Sequence, residues 1–452
     1  MAFATTSSAQ SRDNELRRVQ ERSQVGVDCD VETGGSIDLF KALRLSLCRN
    51  GVLAGKKAAI DSALSELELS KAEAYPILKA SAQYNDGKRW TEISDIPEFS
   101  NIHKTNGPGM SVNLSWTAYD FGHQKAGQKA AAAKLDGSRF DYQSALLSNF
   151  KKLSGDYFKL YSEILATDYL RELVSLAEST LKMATSRSKA GTATLVEKIA
   201  AEAGLIRAKS TFDSANLSVR FSRSRLASSL GIGADFKLAT NLQSLLSEGD
   251  IDRFLLQFGP ENEVYRHPDY LSAKSATEAA RARYEQIRSE AYPTVAVNSA
   301  LNYNGQPITS NPGSPPLSGK IYEWSVQLQI SVPIFDRGEN ARLSKALAEL
   351  NKAMAAEDEV KQALIEAAVS AAEDLREAAH EKSVSSQMLE QMKKSLEAAE
   401  ERYRNGLGSV SEFNTAQDAY ISAARQMVNS QANLPDKYMK YCLQIGYLPA
   451  DL

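Results

Sequence analysis

The residues that could do chemistry are few and poorly grouped. Asp120-Phe121-Gly122 copies the metal-binding tripeptide of protein kinases. The His-Arg-Asp loop, Gly-rich loop and strand Lys that give the tripeptide its role are missing. It reads instead as the end of a strand. His103, His123, His267 and His380 are scattered without metal-ligand spacing. Gly231-Ile232-Gly233 lacks the preceding strand and third glycine that cradle a dinucleotide. No Ser/His/Asp or Cys/His set stands out. The expectation is a protein that is not an enzyme and that uses no cofactor and no metal. Cys29, Cys48 and Cys442 form no CxxC or zinc-like spacing. Cys29 and Cys48 both lie near the N-terminus. They are a possible disulfide in an oxidising compartment, and two unpaired thiols otherwise.

Charge excludes another class. The 452 residues carry 53 basic and 56 acidic side chains, with no basic block, so no nucleic acid partner is expected. No apolar run approaches the ~20 residues of a membrane helix. A charged and apolar signal peptide is absent, but Ala2-Phe3-Ala4 fits an A-x-A cleavage tripeptide. The start is therefore either the remnant of an export signal or a cytoplasmic beginning.

The elements that must position anything are long. Glu339 to Asn405 contains no Gly and no Pro and is rich in Ala, Leu, Glu, Lys and Met. Its apolar residues recur at 3 and 4, from Leu343, Leu347, Leu350 and Met354 to Leu396, Ala399 and Tyr403. That is a coiled-coil-like seam. One unbroken helix there would be roughly 100 Å long, and such a rod needs neighbours.

Residues 1–35 are polar and aperiodic, which predicts a flexible arm. Ser36 is expected to cap a short helix, and a second helix should run from about Val52 to Ala74. Alternation then marks strands at about 77–84 and 110–119, separated by a loop over about Asn85 to Gly109. Long helices are expected from His123 to Ala190 and from Leu195 to Leu230, with a turn at Gly191.

The whole series then repeats, which outranks any local signal. Arg49 to Pro76 aligns without gaps on Arg266 to Pro293, and Glu73-Ala74-Tyr75-Pro76 matches Glu290-Ala291-Tyr292-Pro293. Strands follow at about 294–303 and 321–333, around a proline-rich loop from Asn304 to Gly319. Phe335-Asp336-Arg337-Gly338 corresponds to Tyr119-Asp120-Phe121-Gly122, and Gly406 to Gly191. The organisation is thus a first repeat over 36–234, a linker or equatorial segment over 235–259, a second repeat over 260–446 and a tail over 447–452.

Each strand is half apolar and half polar. The polar halves are richer in Ser, Thr, Asn and Gln than in Lys and Glu, which suits a wet lumen. Tyr84, Trp116, Tyr119, Tyr303, Tyr322 and Trp324 lie near strand ends, where a membrane aromatic girdle would be. The rods begin directly after the strands, so no compact domain covers the sheet. A membrane sheet must close, and single-chain barrels need about eight strands. Several chains must share one barrel, and three would supply twelve strands.

The duplicated layout, the Ala-Tyr-Pro strand starts, Val332-Pro333-Ile334-Phe335-Asp336-x-Gly338 and the Tyr-x-x-Gly-x-x-Ser turn at Tyr403 to Ser409 resemble the TolC-type outer-membrane efflux family. The resemblance covers about residues 36–446. Cys48-Arg49-Asn50 looks more like its type I secretion branch. The resemblance implies a mainly α fold with a small β part. It implies a homotrimer whose twelve-strand transmembrane β-barrel sits in outer-membrane lipid and continues into a periplasmic α-helical barrel. The expected role is a passive exit duct for secreted protein or small molecules, fed by a periplasmic adaptor and an inner-membrane ABC or proton-driven transporter. The turns at Gly191 and Gly406 would be the tips that meet the adaptor. Glu412 falls on the first position of the family's acidic entrance constriction and Thr415 on the second, where an acid is common. Glu197 is the first-repeat equivalent of Glu412. The competing reading is a soluble coiled-coil scaffold.

Overall fold

The computed structural model describes residues 36–91, 101–239, 251, 254–255, 264–308 and 317–446. In chain order these form β1 (Ser36–Ile37), α1 (Leu39–Arg49), α2 (Gly51–Ala72), β2 (Ile77–Thr91) and β3 (Asn101–Tyr119). Next come α3 (His123–Lys189), α4 (Leu195–Leu230) and β4 (Lys237–Leu238). The second series is α5 (Pro268–Ser289), β5 (Thr294–Ile308), β6 (Leu317–Ser331), α6 (Glu339–Arg404) and α7 (Val410–Gln444).

The duplication survives in the element boundaries. Both α2 and β2 map end for end onto α5 and β5 at the 217-residue offset of Arg49 and Arg266. The first residues of β3 and α3 map onto those of β6 and α6 at the 216-residue offset of Gly122 and Gly338. Thr194 and Ser409 cap α4 and α7 by accepting from the backbone N–H of Glu197 and Glu412. Both helices are followed by a left-handed glycine, Gly231 (φ 64°) and Gly446 (φ 75°). A Cβ is disfavoured at such a φ, which is why the repeat kept glycine there.

The chain divides into two compact units, each taking pieces of both repeats. The first comprises residues up to Ala59, Arg139–Ser272 and everything from Asp358 onward. Its main core gathers Ile37, Leu45, Leu153, Tyr157, Leu160, Leu226 and Leu230, all buried. The small parallel pair β1–β4 lies beside it and brings Ile37, Phe236 and Leu238 into that core. This pairing also corrects the start of α1. Ser36 is engaged in β1, and Asp38 is the cap, its Oδ1 accepting from Lys41 N at 2.6 Å. Two buried carboxylates here are paired: Ser154 Oγ donates to Asp436 (3.0 Å), and Arg225 Nε pairs with Asp156 (2.8 Å). Cys48 is disulfide-bonded and Cys442 is a buried free thiol, whereas Cys29 lies outside the described residues.

The second unit comprises Ile60–Ser138 and Ala273–Glu357. It holds one antiparallel sheet in the order β2-β3-β5-β6. The strands run well past the alternating stretches. Asn85, Asp86 and Gly87 pair with Gly107, Asn106 and Thr105, and Gly305 pairs with Lys320. Turn-type residues were expected to leave the ladder there. Pairing along a neighbour outweighs their weak intrinsic strand preference. Among the described residues no helix is long and apolar enough to cross a membrane.

Candidate functional site

Two places in the molecule have the geometry of a working surface: the sheet and the pair of turns that join the long helices.

The sheet has two faces of opposite chemistry. Residues directly opposite across a ladder share a face, so register assigns them. One row reads Ala80, Val112, Leu301, Trp324 across the four strands, and the next reads Leu78, Leu114, Ser299, Val326. Tyr303 and Tyr322 are also opposite each other, with ring centroids 5.2 Å apart. The other face reads Ser81, Ser111, Asn302, Glu323 in one row and Ile77, Ser115, Asn298, Gln327 in another. Its side chains bond to one another: the Ser81 and Ser111 hydroxyls lie 2.8 Å apart, and Asn113 Nδ2 donates to Ser111 Oγ at 3.2 Å.

The apolar face is bare. Trp324 is 77 % exposed and Leu328 67 %, values that cost heavily in water. From Val295 opposite Ile330 to Tyr303 opposite Tyr322 the apolar face runs eight residue steps, roughly 27 Å at ~3.4 Å per residue. A tilted membrane strand needs about 9–11 residues. Neither β2 nor β6 has a partner on its outer side among the described residues.

The six aromatic residues fall at two levels. Trp116 and Tyr119 lie at the helix-proximal end, where Trp116 Nε1 donates to Ala74 O at 3.0 Å. Tyr84, Tyr303, Tyr322 and Trp324 lie at the other level, but inside strands that continue beyond them rather than at strand ends. Phe121, held at a positive φ of 52°, packs edge-on against Tyr119 and stacks on Tyr292 with centroids 5.7 Å apart.

The turns lie in the first unit. After α3 the N–H of Thr192 returns to Arg187 O (3.0 Å), and after α6 the N–H of Leu407 returns to Arg402 O (2.9 Å). Gly191 (φ 71°) and Gly406 (φ 74°) supply the left-handed residue that this closure needs. Sequence reasoning found both glycines. It missed the ties between the two turns. Arg187 Nη1 donates to Tyr403 O at 2.9 Å, with its guanidinium 5.1 Å from the Tyr403 ring centroid. Tyr403 is buried and stacks on Phe413 at 6.0 Å. Burial raises the pKa of its phenol. The signal in the sequence was Tyr403 itself, which ends the coiled-coil seam and opens the Tyr-x-x-Gly-x-x-Ser turn.

Glu412 is half exposed and its carboxylate pairs with Arg402 Nε at 3.3 Å. Thr415 is one turn further on, its hydroxyl donating to Ser411 O at 2.9 Å. Around the turns Leu195, Val196, Ile199 and Leu407 are large apolar side chains left exposed. The arrangement can partition between lipid and water at the sheet, and can dock or pass a solute at the turns.

The family model described as "Outer membrane efflux protein" matches residues 42–232 and 260–438. Protein CyaE of Bordetella pertussis is 26 % identical over 411 residues, which is 91 % of this chain and 84 % of that protein. The fold is similar to that of a membrane protein from Pseudomonas aeruginosa, with TM-score 0.75, 18 % identity, and 93 % and 98 % of the two chains covered. It is also similar to the outer membrane protein VceC of Vibrio cholerae, with TM-score 0.75, 16 % identity, and 90 % and 96 % covered.

Proposed function

The chain belongs to the outer membrane efflux protein family, and from that premise we propose that it is the exit duct of a three-part export machine. It is an outer-membrane protein with a TolC-like fold, which leaves no room for the soluble scaffold reading. In the proposed assembly three copies contribute four strands each to a twelve-strand barrel. The apolar face meets lipid, and the Ser/Asn/Gln face lines the water-filled lumen. The aromatic residues at the two levels of the sheet act as girdles.

One observation carries the proposal: a two-faced, four-stranded sheet with an exposed apolar face and, among the described residues, no strand beyond either edge. Water cannot stabilise that face and lipid cannot satisfy those edges. A closed ring of copies in a bilayer meets both demands.

In this reading the exposed Leu195, Val196, Ile199 and Leu407 beside Gly191 and Gly406 receive the periplasmic adaptor, which couples the duct to an inner-membrane ABC or proton-driven transporter. Glu412 and Thr415 line the entrance. The Arg402–Glu412 pair and the Arg187–Tyr403 tie hold the turns in a narrowed state, and releasing them widens the passage. The mechanism is gating and passage, with no bond made or broken. Cys48-Arg49-Asn50 favours protein secretion over small-molecule efflux as the cargo route.

The test is the purified chain in detergent and in planar bilayers. A trimer that conducts, with a conductance altered by Glu412→Lys, supports the proposal. A folded monomer dissolved in plain buffer overturns it.

A further inference from the structure

A third place, inside the first unit, is built to hold a small molecule. Residues of α3, α4 and α7 border a cleft of about 280 Å³, far more than the ~30 Å³ share of one water molecule. Leu173 of α3, Ala208 of α4 and Ile421 of α7 give it an apolar wall, continuous with the cluster around Leu170 and Ala177. Gln417, only 6 % exposed, also lines it. Its buried Nε2 meets no acceptor among the described residues. A buried amide N–H without a partner is costly, and native structures leave few. We propose that the cleft binds a small carboxylate with an apolar body and a second hydrogen-bond acceptor at its far end. All of its lining belongs to one unit, and the proposal does not rest on the exit-duct reading.

The charges in the lining choose the ligand. They are Arg207, Arg425 and Asp418, a surplus of one positive charge. Arg207 Nη1 pairs with Asp418 Oδ2 at 3.1 Å between α4 and α7, so the carboxylate of the lining is already engaged. Arg425 is exposed and makes no ion pair among the described residues. Its guanidinium fork is suited to a carboxylate, which it takes in two parallel N–H···O bonds. Asn414, Gln417, Ile421 and Arg425 recur at three and four residues, on one face of α7. Gln417 and Arg425 are eight residues apart, roughly 12 Å along the axis at ~1.5 Å per residue. That spacing suits a ligand with its carboxylate at Arg425, its body over Ile421 and its second acceptor at Gln417.

The tandem copy shows that the helical element does not itself call for these residues. At the 215-residue offset of Gly191 and Gly406, Gln417 corresponds to Glu202 and Asp418 to Ala203. Arg207 corresponds to Ser422, and Arg425 to Ser210. The same kind of helix is thus made twice, and the polar set of the cleft is not repeated with it. The cleft is also where α4 carries Gly204, whose counterpart is Ala419. A glycine inside a helix weakens it. Here a Cβ would stand 3.4 Å from Asn414 Oδ1, so the glycine leaves Asn414 its room beside Gln417.

The experiment is calorimetric titration of the full chain in detergent, with detergent alone as the blank. The probes are 4-acetylbenzoate, benzoate, which lacks the second acceptor, and acetophenone, which lacks the carboxylate. 4-Acetylbenzoate should bind with a Kd of the order of 1 mM or tighter. Each of the other two should bind about tenfold more weakly. Arg425→Gln should abolish the advantage over acetophenone and keep that over benzoate. Gln417→Met, close in shape but without a donor, should do the reverse. Variant losses that are equal for all three probes overturn the assignment of the two ends. The wild-type chain decides even where a variant fails to fold: equal affinity for the three probes, or no saturable binding of 4-acetylbenzoate, overturns the site.

Discussion

The core beside β1 and β4 and the apolar face of the sheet are both built from large hydrophobic side chains, yet they are finished in opposite ways. In the core, Leu160 and Leu226 reach 0 % exposure within a single copy. On the sheet, Trp324 and its row are left open. The first region satisfies itself, and its stability is an affair of helices in water. In the proposed duct the second is completed by lipid on one face and further copies at its edges. Hydrophobicity alone therefore does not say where a residue sits; the ladder's period and its open edges do.

The largest effect should come from breaking the self-sufficient region. Leu160→Ala removes a fully buried side chain from the main core and should cost about 2–5 kcal/mol. Denaturant midpoints in detergent would measure it. If the loss were under about 0.5 kcal/mol, the contrast between the regions would fail.

A charge on the sheet sharpens the other half. Leu328→Arg should cost about 2–4 kcal/mol of membrane folding. Gln327→Arg, one residue away on the lumen side, should fold into vesicles as the wild type does. Equal penalties would mean that the two faces are not lipid and water.

These regions were not equally legible in the sequence. The long helices, both turn glycines and the alternation of the strands could be read directly, because periodicity and left-handed glycines are local signals. The ladder's full length could not. Asn85-Asp86-Gly87 reads as a turn, and only pairing with β3 keeps it extended. Asp38 displaced Ser36 as the cap because β1 claims Ser36 for a pairing 201 residues away, with Lys237. Arg187 gave no sign of its bond to Tyr403, since nothing local links residues in different repeats.

Smaller perturbations separate local from shared stability at the turns. Gly406→Ala puts a Cβ at φ 74° and should cost about 1–2 kcal/mol. Ser409→Ala removes the hydroxyl that accepts from Glu412 N at 3.1 Å, at a cost of about 1 kcal/mol. Both should speed hydrogen exchange or proteolysis at the turn and leave the sheet unchanged.

The smallest effect is a pH dependence of the helical unit alone. His267 is buried, and burial lowers its pKa below the ordinary 6.5, with Lys151 adding to this and Asp269 opposing it. Its Nδ1 accepts from Asp269 N at 3.2 Å, as the neutral ring requires. A lowered folded value means that this contribution to stability is present above the unfolded value. It is lost as pH falls from there through the folded one. Melting curves between about pH 7 and 5 should therefore drop further for the wild type than for His267→Gln.

The sulfur at Cys442 has a practical corollary. It is buried, and burial pushes the thiol up to about 12. Almost none of it is thiolate at neutral pH, so alkylating dyes and spin labels will pass it by. With Cys48 already oxidised, a single cysteine engineered at the lumen or at either turn should report from its own position with little background from these two.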